Sequence, residues 1–131
     1  MRSQARESVF KFIFSRLFNP SDEGLFAVLT KDLNENDKQF AEELLSAVDK
    51  DYDAYLLDVE KLAVGYKLNR LYNADKCALI IGMAELKHFP QTPVAVVIDE
   101  AVSLAEKFST ENSTDFVNGI LAEYIREKNN D

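Results

Sequence analysis

Tryptophan is absent from this sequence, cysteine and histidine occur once each, and only 4 glycines and 3 prolines punctuate 131 residues. Each scarcity removes a class of explanation. A lone thiol, Cys77, closes no intramolecular disulfide and furnishes no cysteine zinc cage, so folding needs neither oxidation nor metal. There is no glycine-rich phosphate loop and no G-x-S-x-G elbow. Cys77 and His88, the best nucleophile and base, fall on one predicted helix, separated by roughly 16 Å at about 1.5 Å of rise per residue, too far for a dyad. Cys77 reads as a small core residue and His88 as a cation-capable group near a helix C-terminus. No run reaches the roughly 18 apolar residues of a membrane span, and the N-terminal stretch mixes Arg, Glu and Lys into its apolar pattern instead of forming a signal core. A cytoplasmic protein without catalytic residue, metal or cofactor is expected.

What the chain has in quantity is helical periodicity. Its hydrophobic content of 47% suffices for one packed core, and the apolar residues recur at three- and four-residue spacing. The spacing predicts a first helix from Ser3 to about Phe18, with Val9, Phe10, Ile13, Phe14 and Leu17 on one side and the basic residues on the other. Asn19-Pro20 ends it, because proline disfavours helical geometry in the preceding residue. A second helix is predicted over Asp22 to Leu33, burying Leu25, Phe26, Val28 and Leu29. Asn36, with Gln39 three residues on, reads as the cap of a third. The pattern resumes from Tyr52 to Val64, and the polar Asp49-Lys50-Asp51 leaves open whether this is one helix or two.

Ala74 to His88 is apolar almost all round and predicts the most buried helix, with Gly82 marking close helix contact. Thr92-Pro93 reads as the start of a helix reaching Phe108, and a last helix starts near Ser113, with fraying expected at Asn129 to Asp131. The expectation is an all-α, single-domain chain over residues 1–131. One metal pattern requires testing: Asp49, Asp51, Asp53 and Glu60 copy four ligand positions of a calcium loop. The copy has Ala54 where the loop needs glycine and keeps helical spacing, so these acids read as a solvated helix face.

The net charge of -8 opposes indiscriminate nucleic-acid binding. Its distribution is uneven. Met1 to Arg16 carries four basic residues (Arg2, Arg6, Lys11, Arg16) against Glu7, whereas Leu17 to Val64 has 12 acids against 4 bases. Sign asymmetry of this kind points to two different surfaces.

From Thr92 to Leu121 the order TPVAVVIDEAVSLAEKFSTENSTDFVNGIL resembles the signature of the NusB family, P-x-x-V-x-I-N-E-A-V-x-L-A-K-x-F followed by a short loop and S-x-x-F-V-N-G-V-L. Upstream, Asp75-Lys76 through Glu85-Leu86 is similar to the family's acid-lysine start and E-L ending, and Ala5-Arg6-Glu7 to its arginine-rich first helix. The resemblance implies a compact NusB-like bundle of about seven helices. It implies a non-enzymatic transcription antitermination factor that binds the ribosomal protein NusE and, with it, the single-stranded boxA RNA of nascent transcripts, in an RNA polymerase antitermination complex. A protein-only adaptor that keeps NusE binding and has little RNA binding is the alternative. The fold also resembles the RNA-binding domain fused to ribosomal RNA methyltransferases, but no methyl-donor motif is present.

Carried over by position, the resemblance implies that Arg2 and Arg6 meet RNA phosphates and that Asn112 and Phe116 meet bases or sugars. Phe14 and Asp75 would face the protein partner. Each has a plain structural reading beside it: a solvated terminus for the arginines, core for Phe116 and Phe14, a cap for Asn112, a helix-start acid for Asp75. The expected arrangement sets the basic start of the first helix beside the tip of the last, so that one groove offers cation, amide and ring. Ile80, Ala95, Asp99 and Asn112 depart from the family pattern at arginine, lysine, asparagine and acid positions respectively, which weakens the expected grip on RNA. With about three phosphates neutralised, log affinity against log salt should slope at roughly -2 for a single strand.

Overall fold

The computed structural model describes residues 2–20, 22, 24–65 and 71–129. Seven helices follow in order: α1 (Arg2–Arg16), α2 (Leu25–Thr30), α3 (Glu35–Lys50), α4 (Tyr52–Leu62), α5 (Asn73–His88), α6 (Val94–Phe108) and α7 (Ser113–Asn129). Among the described residues there is no strand, and no helix is long and apolar enough to cross a membrane. The all-helical expectation holds. Of the expected C-terminal fraying, residues 130 and 131 lie outside the described residues.

The axis of the bundle is α5, buried without interruption from Cys77 to Glu85 and packed against α1, α3, α4, α6 and α7. An amphipathic helix hides one stripe; one that is apolar on every face needs neighbours all round. Gly82 permits the closest approach, since a Cβ there would stand 2.8 Å from Leu121 Cδ1 on α7 and 3.3 Å from Ala101 Cβ on α6. The missing side chain of Gly82 therefore makes room on α5 for Leu121 of α7 and Ala101 of α6.

Several boundaries depart from the sequence reading for local reasons. Asn34, not Asn36, caps α3, its side chain accepting the Asp37 N–H at 2.8 Å. The acidic stretch before Tyr52 does break the chain into two helices, because Asp51 leaves helical geometry at φ -129° and ψ 30°. Lys87 Nζ and His88 Nε2 each lie 3.0 Å from its Oδ2, and Tyr55 donates to the Ala47 carbonyl at 3.0 Å, which locks the corner. Asp51 is thus committed to Lys87 and His88 of α5, and no group of metal-ligating side chains occurs among the described residues. Helix α2 spans only six residues and Val28 is 59% exposed, contrary to its expected burial. Pro93 occupies the cap position of α6 and no side chain caps it, so Thr92 does not play that part.

Candidate nucleic-acid interface

The largest correction concerns Arg6. Expected on a solvated basic face, it is 3% exposed, and its guanidinium grips Glu85 of α5 through two hydrogen bonds, Nε to Oε1 at 2.7 Å and Nη2 to Oε2 at 2.5 Å. Glu100 of α6 stands 3.2 Å from Nη1 and also accepts from Ser3 Oγ at 2.5 Å. Burial alone would lower the Arg6 pKa; the hydrogen bond to Glu85 and the charges of Glu85 and Glu100 more than offset this and hold it above its ordinary value. A planar fork with two carboxylates around it is the arrangement guanidinium suits best. Arg6 is therefore the pin joining α1, α5 and α6, and its donors are not offered to a phosphate.

Arg2 is exposed, with its guanidinium 4.5 Å from the centre of the Phe40 ring, which in turn meets Phe89 just beyond α5. The positive end of α1 thus lies by the C-terminal end of α5. At the other end of α5, Leu71, Tyr72, Asp75, Thr110, Asn112, Ser113 and Phe116 line an open cleft of about 160 Å³. Asp75 and Glu85, the partner of Arg6, are ten residues apart on one helix, which is about 15 Å along the axis. Cation, amide and ring do not share one groove; Asn112, Phe116 and Asp75 do share a cleft, and Arg2 sits at the far end.

The cleft is built by two helix starts. The Ser113 hydroxyl lies 3.0 Å from Ser109 Oγ and 2.9 Å from Thr110 Oγ1, and it accepts the Thr110 N–H at 3.3 Å. This staples the turn before α7 and leaves Asn112 exposed on its outside, so Asn112 is not the residue that ties the helix start. Phe116, four residues on, falls on the same face; it is half-buried, packing on the core while lining the cleft. Across from it, Tyr72 precedes α5 in extended geometry and is 62% exposed. Sequence reasoning missed Tyr72, whose only signal was an aromatic just ahead of a helix start.

Asp75 sits in the first turn of α5, where the helix dipole favours an acid. It is 4% exposed, and its Oδ1 is the buried side-chain oxygen without a hydrogen-bond partner among the described residues. Such an acceptor costs about 1–3 kcal/mol when left unsatisfied. Phe14, also expected to face a partner, is half-buried inside a file of rings. Its centroid is 6.0 Å from Phe10 and 5.4 Å from Phe18, and Phe10 stacks on Phe108 at 4.7 Å. The exposed members of this patch are Phe18 (68%) and Leu17 (42%), in the turn after α1.

Between the two ends of α5, exposed Lys11 and Lys107 flank Glu7, with Lys107 Nζ 2.9 Å from its carboxylate. Burial would raise the Glu7 pKa, but the hydrogen bonds from Lys107 and Lys11 bring it below the ordinary glutamate value. The α1/α6 surface thus carries separated cations between the cleft and Arg2.

Comparison with known proteins agrees with this architecture. The NusB family pattern matches residues 3–126. The transcription antitermination protein NusB of Natranaerobius thermophilus is 31% identical over 98% of this chain and 96% of its own length. The T. maritima NusB structure superposes with a TM-score of 0.89 at 27% identity, covering 97% of this chain and 92% of that one. A crystal structure of antitermination factors NusB and NusE in complex with dsRNA superposes with a TM-score of 0.82, covering 93% of each chain; at 24% identity this likeness speaks for the fold alone. The chain therefore belongs to the NusB family of transcription antitermination proteins, which are not enzymes.

Proposed function

We propose that this protein is a single-domain cytoplasmic adaptor that binds a NusE-type ribosomal protein and, with it, unpaired boxA RNA, so that RNA polymerase reads through terminators. The observation that carries the RNA part is the cleft between α5 and α7, where an exposed tyrosine, a half-buried phenylalanine and an exposed amide converge. Stacking on ring faces with amide hydrogen bonds suits splayed single-stranded bases, which offer both their faces and their edges. A strand of four or more nucleotides leaving the cleft along α1 and α6 would pass Lys107 and Lys11 on its way to Arg2. The patch of Leu17, Phe18 and Phe14 is the apolar surface suited to the protein partner, with aromatic anchors of the kind that dominate interface energetics.

With Arg6 withdrawn into its ion pair, two phosphates remain a reasonable number, and the salt slope becomes about -1.4 instead of -2. That same withdrawal, with the net charge of -8, favours the second reading, a protein-only adaptor. Titrating labelled boxA RNA against the protein alone and against the preformed NusE pair decides between them. Binding that strengthens with NusE supports the first; NusE binding with no RNA binding in either case leaves only the second.

A further inference from the structure

Resting on the RNA reading above, we infer that Glu100 is a positioning residue for RNA: through Ser3 it holds the first turn of α1, and so aims the Arg2 guanidinium at a phosphate that Glu100 itself does not touch.

Glu100 is a carboxylate in excess. Glu85 alone takes two donors of Arg6 in a closed, buried pair, so Arg6 needs no second acid to neutralise it. Glu100 nevertheless stands 3.2 Å from Nη1 with its side chain 24% exposed, which leaves two carboxylates around one guanidinium. On the α1/α6 surface, where Lys11 and Lys107 lie, a surplus negative charge opposes the approach of a phosphate. What Glu100 supplies there is an acceptor. The same oxygen that faces Arg6, Oε1, also takes the Ser3 hydroxyl at 2.5 Å and so ties α1 to α6.

That contact falls where the helix needs it. The first N–H groups of a helix have no acceptor in a preceding turn, so the first turn frays unless something outside holds it. Ser3 lies in that turn of α1, next to Arg2, and its half-buried side chain reaches the middle of α6. The other polar contact along this seam, Glu7 with Lys107, lies one turn further into α1. With the first turn held, the Arg2 guanidinium lies 4.5 Å from the centre of the Phe40 ring, with that of Arg6 at 5.2 Å. A guanidinium stacked on a ring has a fixed direction and keeps its in-plane donors for an anion, and Arg2 remains exposed. A frayed turn would let Arg2 sweep through solvent, and RNA binding would then have to order it again.

The test is equilibrium binding of fluorescein-labelled boxA RNA to the preformed NusE pair, made with this protein and its variants, at several salt concentrations. Ser3→Ala changes no charge and installs a better helix former, so it isolates the hydrogen bond. Affinity should fall about three- to tenfold, the change that one hydrogen bond of ordinary net strength represents. The salt slope should shrink by up to the roughly 0.7 that one phosphate contributes on a single strand. Ser3→Ala combined with Arg2→Ala should bind within about twofold of Arg2→Ala alone, because the two residues act as one unit. Glu100→Ala should also weaken binding although it removes a negative charge, whereas Glu100→Gln, whose amide oxygen still accepts from Ser3, should bind at least as tightly as wild type. Ser3→Ala at wild-type affinity, or Glu100→Ala and Glu100→Gln both tighter than wild type, overturns the inference and leaves the RNA reading standing. A Ser3→Ala loss that persists undiminished in the Arg2→Ala background overturns it in favour of a general packing role. A wild-type pair that binds no RNA overturns the RNA reading and this inference with it.

Discussion

Replacing Arg6 by methionine separates a structural pin from a phosphate ligand. Methionine keeps much of the apolar stem that arginine packs, so the main loss is the charge facing Glu85, which is 1% exposed and has no water to fall back on. Removing one partner of a buried pair costs about 3–5 kcal/mol, because the remaining charge stays buried. For 131 residues, an unfolding entropy of about 2.1 cal/mol/K per residue converts this to a melting-temperature loss of roughly 11–18 °C. The double substitution Arg6→Met with Glu85→Met should return close to the wild-type melting point, since apolar replacements of buried pairs are often neutral or better. Circular dichroism melts at 222 nm read both values. RNA affinity measured at 20 °C, where the single variant remains folded, should change less than about threefold, and the salt slope should not lose the roughly 0.7 that a released phosphate contact would remove. A single variant melting within about 3 °C of wild type, or a double variant no better than the single, refutes the pin.

The buried Cys77 thiol, pushed up to about 12 chiefly by burial and only partly countered by Lys76 and Arg16, should resist a thiol-exchange reagent at pH 8 in native protein and react within seconds in denaturant. Gly82→Val should destabilise by about 1–3 kcal/mol in a urea titration, because its side chain enters space that Leu121 and Ala101 already fill. Hydrogen bonds from Lys87 and His88 hold the Asp51 carboxyl below its ordinary value, so its contribution is complete above the unfolded value of about 3.9 and disappears as pH falls through the lower folded one. Melting temperature against pH should therefore drop less steeply on the acid side in Asp51→Asn than in wild type.

Helix order was legible because apolar spacing is a one-dimensional signal: the buried run in α5 and the stripe of α6 are visible in the letters alone. Gly82 was readable for the same reason, as the only glycine inside a helix apolar on all sides. What the letters hide is pairing. Arg6 reads as a surface cation until Glu85 and Glu100, distant in sequence, are brought around it, and a buried arginine has no local signature separating it from an exposed one. Asn34 and Asn36 are both fit to cap, and only backbone geometry chooses between them. Of the candidate site, Phe116 is a letter of the family pattern and Asn112 stands at one of its positions as a departure, whereas the cleft they share is a property of the fold. Tyr72 was missed because an exposed aromatic in a connecting segment breaks no periodicity, and the unsatisfied oxygen of Asp75 was invisible because it is a property of packing.

The account depends on the cleft between α5 and α7 as the place where unpaired RNA stacks, and Tyr72→Ala tests it with least disturbance, since the 62% exposed ring contributes little to the core. Fluorescence titration of boxA RNA against the preformed NusE pair should show an affinity loss of about 5- to 150-fold, the equivalent of one stacked base at about 1–3 kcal/mol, with the melting temperature unchanged. Undiminished affinity in that variant would contradict it.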